Sequence, residues 1–116
     1  MGEFKKLRVW EDAVNLAVGI YMLTKKEPFC KDFGLRNQIQ RAAVSVASNI
    51  AEGDERKTNK EAIYFFNIAK GSVAEVITQL NIAYRIGYIN KEVFDKTEDF
   101  AEKIRASLKK LIAKRI

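Results

Sequence analysis

The sequence has no histidine, one cysteine, one proline and six glycines in 116 residues. Without histidine it lacks the commonest general base and the commonest side-chain ligand for transition metals. A di-iron centre in a helical bundle needs inward-facing Glu-x-x-His pairs, which this composition cannot supply. The lone Cys30 excludes an intramolecular disulfide and a thiolate metal cluster. With no imidazole to activate it as a nucleophile, it reads as a small apolar loop residue. Glycine and proline together reach only about half of their usual share of roughly 12%, which argues against a turn-rich all-β fold and against disorder. No apolar run approaches the roughly 20 residues that span a bilayer. The polar N-terminal stretch has no signal-peptide core. A cytoplasmic protein with no membrane association is expected, with no catalytic residue, no cofactor and no metal.

Other enzymatic features are equally thin. Gly71-Ser72 lacks the glycine-rich run and the following lysine of a phosphate loop. Gly71 reads instead as a point of close helix approach, and Ser72 as bonding locally or to the second helix. Asp12, Glu52 and Glu75 have no partner at a spacing useful for hydrolysis.

What the chain does have is helical periodicity and positive charge. Its length suits one domain, on a scale of roughly 100 to 150 residues per core. Four helical segments follow, at about 7–26, 34–53, 58–87 and 90–115. In the first, Trp10, Ala13, Val14, Ala17, Ile20, Tyr21 and Thr24 recur at three- and four-residue steps, and Pro28 stops it. The second buries Leu35, Ile39, Ala42, Val46 and Ile50, with Gly53 as its stop. Thr58 and Glu61 have capping-box spacing at the start of the third, and Gly87 ends it. Asn90 caps the fourth, whose Val93, Thr97, Phe100, Ile104, Leu108 and Leu111 keep a 4-3 spacing. Short connections make neighbours antiparallel. The expected fold is all-α, an up-down-up-down four-helix bundle.

The second helix carries an unusual back. Gln38, Arg41, Ser45, Asn49, Glu52 and Arg56 form one polar stripe at 100° per residue. The remaining side holds Val44, Ala47 and Ala51, where a lone bundle would be charged. Either this alanine-rich back is exposed and simply favours helix, or it is a subunit interface. In the second case the polar stripe is buried and paired, with Ser72, Glu75 and Gln79 of the third helix as candidate partners. Arg41 with Glu75 is one such pair, and burial would make it a device for register more than for stability.

The excess of 21 basic over 15 acidic residues gives a net charge of +6. From Lys103 to the C-terminus there are six basic residues and no acidic one: Lys103, Arg105, Lys109, Lys110, Lys114 and Arg115. Lys5, Lys6 and Arg8 form a second cluster. In an up-down bundle the two clusters share one end, so they can form a single patch. That patch suits phosphates, with salt-dependent and weakly sequence-specific binding. Alternatively, the C-terminal cations complement the helix dipole and keep the protein soluble.

The run Leu35-Arg36-Asn37-Gln38-Ile39-Gln40-Arg41-Ala42-Ala43-Val44-Ser45-Val46-Ala47-Ser48-Asn49-Ile50-Ala51-Glu52-Gly53 resembles the signature of the 23S rRNA intervening-sequence proteins, also called four-helix bundle proteins. Val9-Trp10 with Ala13, Ile20-Tyr21, Phe33-Gly34-Leu35, Arg56, Ile68-Ala69-Lys70-Gly71-Ser72 with Glu75, and Gly87-Tyr88 extend the resemblance over about residues 7 to 90. Gln40 stands where the family often has a second arginine, and Ala47 where it often has proline. The resemblance implies an antiparallel bundle, often assembled as a homo-pentameric ring, encoded within intervening sequences of large-subunit rRNA genes and more widely in bacteria. The accessory variability proteins of diversity-generating retroelements share the bundle and the ring, and they bind RNA and a reverse transcriptase. Two functions are therefore expected as alternatives: a non-enzymatic protein that binds structured RNA, or a protein-protein adaptor of the reverse-transcriptase accessory kind.

Overall fold

A computed structural model describes residues 2–116. Among them there are four α-helices, two short 3₁₀ turns and no strand. The helices are α1 (Arg8–Thr24), α2 (Phe33–Asp54), α3 (Asn59–Arg85) and α4 (Lys91–Ala113). Each lies within about two residues of the expected segment, except that α2 runs through the glycine expected to stop it.

The boundaries follow from local chemistry. Thr58 accepts from the Glu61 N–H at 3.1 Å, Asn90 from Val93 at 2.8 Å and Asp32 from Leu35 at 3.0 Å. Each bond satisfies a backbone donor that the first helical turn leaves unpaired. Gly87 ends α3 at φ +86°. The Tyr88 N–H returns to the Ala83 carbonyl and the Gly87 N–H to that of Tyr84. This is a Schellman closure, which needs a residue tolerant of positive φ. Between α1 and α2, Pro28 sits in a cis peptide bond, and the following turn buries Phe29.

Neighbouring helices pack in chain order around a square, and α1 closes it against α4; α2 and α3 share the largest interface, α1 and α4 the smallest. A 27-residue α3 should span about 40 Å at 1.5 Å per residue, which matches the 44 Å long axis. Ile20, Ile39, Val46, Ile50, Phe66, Val73, Val76, Leu80, Ile104 and Leu108 are fully enclosed. Among the described residues no helix is long and apolar enough to cross a membrane.

Three expectations are corrected. Gly53 does not stop α2. It lies in the last turn, buried, where a Cβ would meet Phe66 at 2.6 Å and the Ala62 carbonyl oxygen at 3.0 Å. Its role is the close approach of α3. Conversely, nothing in the subunit approaches Gly71, where a Cβ would meet no atom within 4 Å. On α1 the buried face is Val9, Ala13, Leu16, Ile20 and Thr24, while Tyr21 is exposed. From Leu16 to Leu23 the helix has no charged residue on any side, so periodicity there leaves its rotation open.

Candidate nucleic-acid interface

Antiparallel packing brings the start of α1, the turn between α2 and α3, and the end of α4 to one end of the bundle. Arg115 marks the junction. Its guanidinium pairs with Asp54 of α2 at 3.2 Å and stacks over Phe66 of α3 at 5.2 Å. Asp54 is only 9% exposed, so this pair closes the end of the core, and Arg115 is a structural latch first.

The other expected cations divide into paired and unpaired groups. Lys6 pairs with Glu3 at 3.0 Å, Arg8 with Asp12 at 3.3 Å and Arg105 with Glu102 at 2.7 Å. Lys5, Lys103, Lys109, Lys110 and Lys114 are exposed and have no ion-pair partner among the described residues. Lys103, Lys110 and Lys114 lie on the α1-facing flank of α4. Arg105 and Lys109 lie on the α3-facing flank, beside Lys70. The expected single patch is thus one basic end with two flanks, separated by the buried Ile104 and Leu108 seam.

Sequence reasoning missed three cations here. Lys57 in the α2–α3 turn and Lys60 in the first turn of α3 stand exposed, at the same end. Lys70 joins Arg105 and Lys109 through the register of α3 on α4. Lys57 and Lys60 were legible as part of a charged turn; Lys70 was not, because only helix pairing places it there.

The polar stripe of α2 is partly used within the subunit. The Ser72 hydroxyl donates to the Ser45 hydroxyl at 2.9 Å, and the Asn49 amide donates to the Ser45 hydroxyl and carbonyl, each at 2.9 Å. Glu52 pairs with Arg56 on its own helix. Arg41 and Glu75 are both exposed and form no ion pair with each other or with any described residue, so this pairing does not exist inside the subunit. Gln38 is exposed too. The buried Oε1 of Gln79 has no donor among the described residues. Gln40 donates from Nε2 to the Thr24 hydroxyl at 2.9 Å and ties α2 to α1.

Two apolar surfaces remain open. A groove of about 490 Å³ between α1 and α2 is lined by Val14, Val18, Tyr21, Met22, Val44 and Ala47. Ala51 continues the same side of α2 one turn on. Val18 and Met22 are each 56% exposed. On α3, Tyr64, Ile68 and Ile82 are exposed and share one outward face with Gly71 and Glu75.

Near the opposite end the Tyr88 hydroxyl donates to Asp32 at 2.8 Å. The Leu35 N–H and then this hydroxyl hold the Asp32 carboxyl below its ordinary pKa, and the same bond holds the Tyr88 phenol above its own. This clamp fixes the α1–α2 loop to the α3–α4 loop.

The 23S rRNA-intervening sequence protein family model matches residues 5–110. The fold is similar to a 1.70 Å crystal structure of a protein of unknown function from the S23 ribosomal protein family of Bacteroides thetaiotaomicron, with a TM-score of 0.83, 26% identity, and coverage of 90% of this chain and 97% of that one. No curated protein matches the chain. With a family match over nearly its whole length and the bundle in place, the chain belongs to the 23S rRNA-intervening sequence protein family.

Proposed function

We propose that this protein acts without catalysis, as a homo-oligomer that binds structured RNA through phosphate contacts at the basic end of its bundle. The observation that carries this reading is the set of exposed lysines, unpaired among the described residues, gathered there from α3, α4, the 3₁₀ turn ahead of α1 and the turn between α2 and α3. Dipole complementation accounts for cations in the last turn of α4 and for Lys57 just past the end of α2, but not for Lys5 ahead of α1 or Lys60 in the first turn of α3, which stand at positive helix ends. Most of the net charge of +6 therefore lies where a polyanion would meet it.

The oligomer rests on the open faces. The α1/α2 groove and the outward face of α3 differ in shape and lie on different sides of the subunit. Each is too apolar to suit water, and a mid-helix Gly71 weakens α3 by roughly 0.5–1 kcal/mol relative to Ala with no benefit to the subunit itself. Arg41 beside the groove and Glu75 on α3 are unpaired and opposite in sign. A head-to-tail contact between the two faces would match them, and repeated contacts of that type close into a ring. Five subunits is the number the family resemblance implies.

The test is fluorescence anisotropy of nuclease-treated protein against hairpin RNA, duplex DNA and single strands at roughly 50 and 200 mM salt. Six or more phosphate contacts should lower affinity about 10³-fold between the two. Changing Lys109, Lys110 and Lys114 together to glutamate should abolish binding and leave the assembly intact. No binding to any nucleic acid at low salt would overturn the reading. A second reading, a protein-protein adaptor such as a reverse-transcriptase accessory subunit, is favoured by another apolar groove of about 450 Å³ between α1 and α4, over Leu16, Leu23, Val93 and Phe100. That groove is not needed by the ring.

A further inference from the structure

We infer that the cleft between α3 and α4 lined by Lys70, Arg105 and Lys109 is a phosphate subsite, seating one phosphate group of a bound RNA. The inference rests on the RNA reading above and places one specific contact within it. The cleft encloses about 220 Å³, with Glu102 and Ala106 completing its walls. Two features distinguish it from a scatter of surface lysines.

The first is how its cations are held. Arg105 gives its Nε to Glu102 at 2.7 Å, one turn earlier on the same helix. That bond, between two half-exposed side chains, engages Nε and leaves both terminal nitrogens unengaged among the described residues. A guanidinium held in this way presents two parallel donors, the geometry that matches two phosphate oxygens. Glu102 is thus a positioning residue. Lys70 is half-buried against α4, and neither Lys70 nor Lys109 has an ion-pair partner among the described residues. Their ammonium groups supply further donors from opposite walls.

The second is charge balance. Three cations face one carboxylate, so the cleft carries an excess of two positive charges. A carboxylate ligand would leave half of that unmatched. A terminal phosphate monoester, at about −1.5 to −2 near neutral pH, would match it in full. An internal phosphodiester would match it in part, with the remaining cation reaching a neighbouring diester. Ala106 is the one small side chain in the lining.

The experiment uses the intact protein carrying Lys70→Gln and Lys109→Gln, singly and together, with circular dichroism to confirm the fold. Binding to one RNA hairpin, with and without a 5′-phosphate, is followed across salt concentrations. Loss of one phosphate contact should flatten the slope of log affinity against log salt by about 0.7 to 0.9, and the double variant should bind about tenfold more weakly at low salt. A loss seen equally with both hairpins supports the cleft as a site for an internal phosphodiester. A loss seen with the 5′-phosphorylated hairpin alone supports it as a site for an RNA end. Wild-type affinity and slope in the folded double variant, with RNA binding intact, would overturn the inference and leave the RNA reading standing. If the wild type binds no RNA, that reading fails and the cleft is judged by inorganic phosphate. Saturable shifts of the Arg105 Nε–H and of the Lys70 and Lys109 amides in ¹⁵N spectra support it, and unshifted resonances overturn it.

Discussion

Gly53 and Gly71 are both helical glycines, and they should respond to the same substitution with opposite signs. Alanine gains up to about 1 kcal/mol of helix propensity at either site. At Gly53 the new methyl would press on Phe66 at 2.6 Å, and Phe66 is itself fully buried and cannot retreat. Overpacking of this kind costs about 1–3 kcal/mol, so Gly53→Ala should lower the midpoint of chemical denaturation. Gly71→Ala meets open space and should raise the stability of the isolated subunit by about 0.5–1 kcal/mol. If the α3 face is a contact between copies, the same change weakens the assembly, and light scattering against concentration separates the two effects. Asp32 gives a pH signature. Its carboxyl titrates below its unfolded value of about 3.9 because Leu35 and Tyr88 donate to the charged form. The stabilisation is therefore complete above that value and is lost as pH falls through the folded pKa. Asp32→Asn should flatten the acid limb of a stability profile below about pH 4 while leaving its neutral part parallel to wild type.

At the scale of helices, the starts of α3 and α4 were legible because capping chemistry is local. Thr58 with Glu61, and Asn90, announce themselves within four residues, and each cap removed to alanine should cost about 1 kcal/mol. The end of α3 was legible for the same reason, through Gly87. The end of α2 was misleading because one residue type serves two purposes. A glycine after an apolar run signals a stop, and it equally signals a neighbour pressed close; only the position of Phe66 on another helix decides. The rotation of α1 was hidden by too many apolar residues, with Val18 and Met22 as hydrophobic as the buried Leu16. Arg115 shows a different limit. Its charge was legible, but its partner Asp54 lies 61 positions away, and no pattern along the chain connects them. Arg115→Ala should cost about 1–2 kcal/mol in thermal unfolding, below the 3–5 kcal/mol of a fully buried pair because the guanidinium keeps part of its hydration.

At the scale of the whole molecule, the bundle and its up-down topology were legible, whereas the composition of the basic end was legible only in part. Lys5 and Lys6 ahead of α1 could be joined to the lysines of α4 by topology alone, but Lys70 needed the register of α3 on α4, which sequence periodicity does not set. The open faces lead to one more expected outcome. If the α1/α2 groove joins copies of the chain as proposed, Ala47→Glu, which places a charge there, should lower the mass in light scattering, with the helical signal in circular dichroism unchanged. An unchanged mass would remove the groove from the interface. The basic end also has a kinetic meaning. On a body 44 Å long and about 20 Å wide, charge gathered at one end turns the molecule toward a polyanion before the two touch. Oriented encounter accelerates association and is screened by ions, whereas dissociation depends on contacts already made. In stopped-flow measurements, added salt should therefore slow the on-rate first.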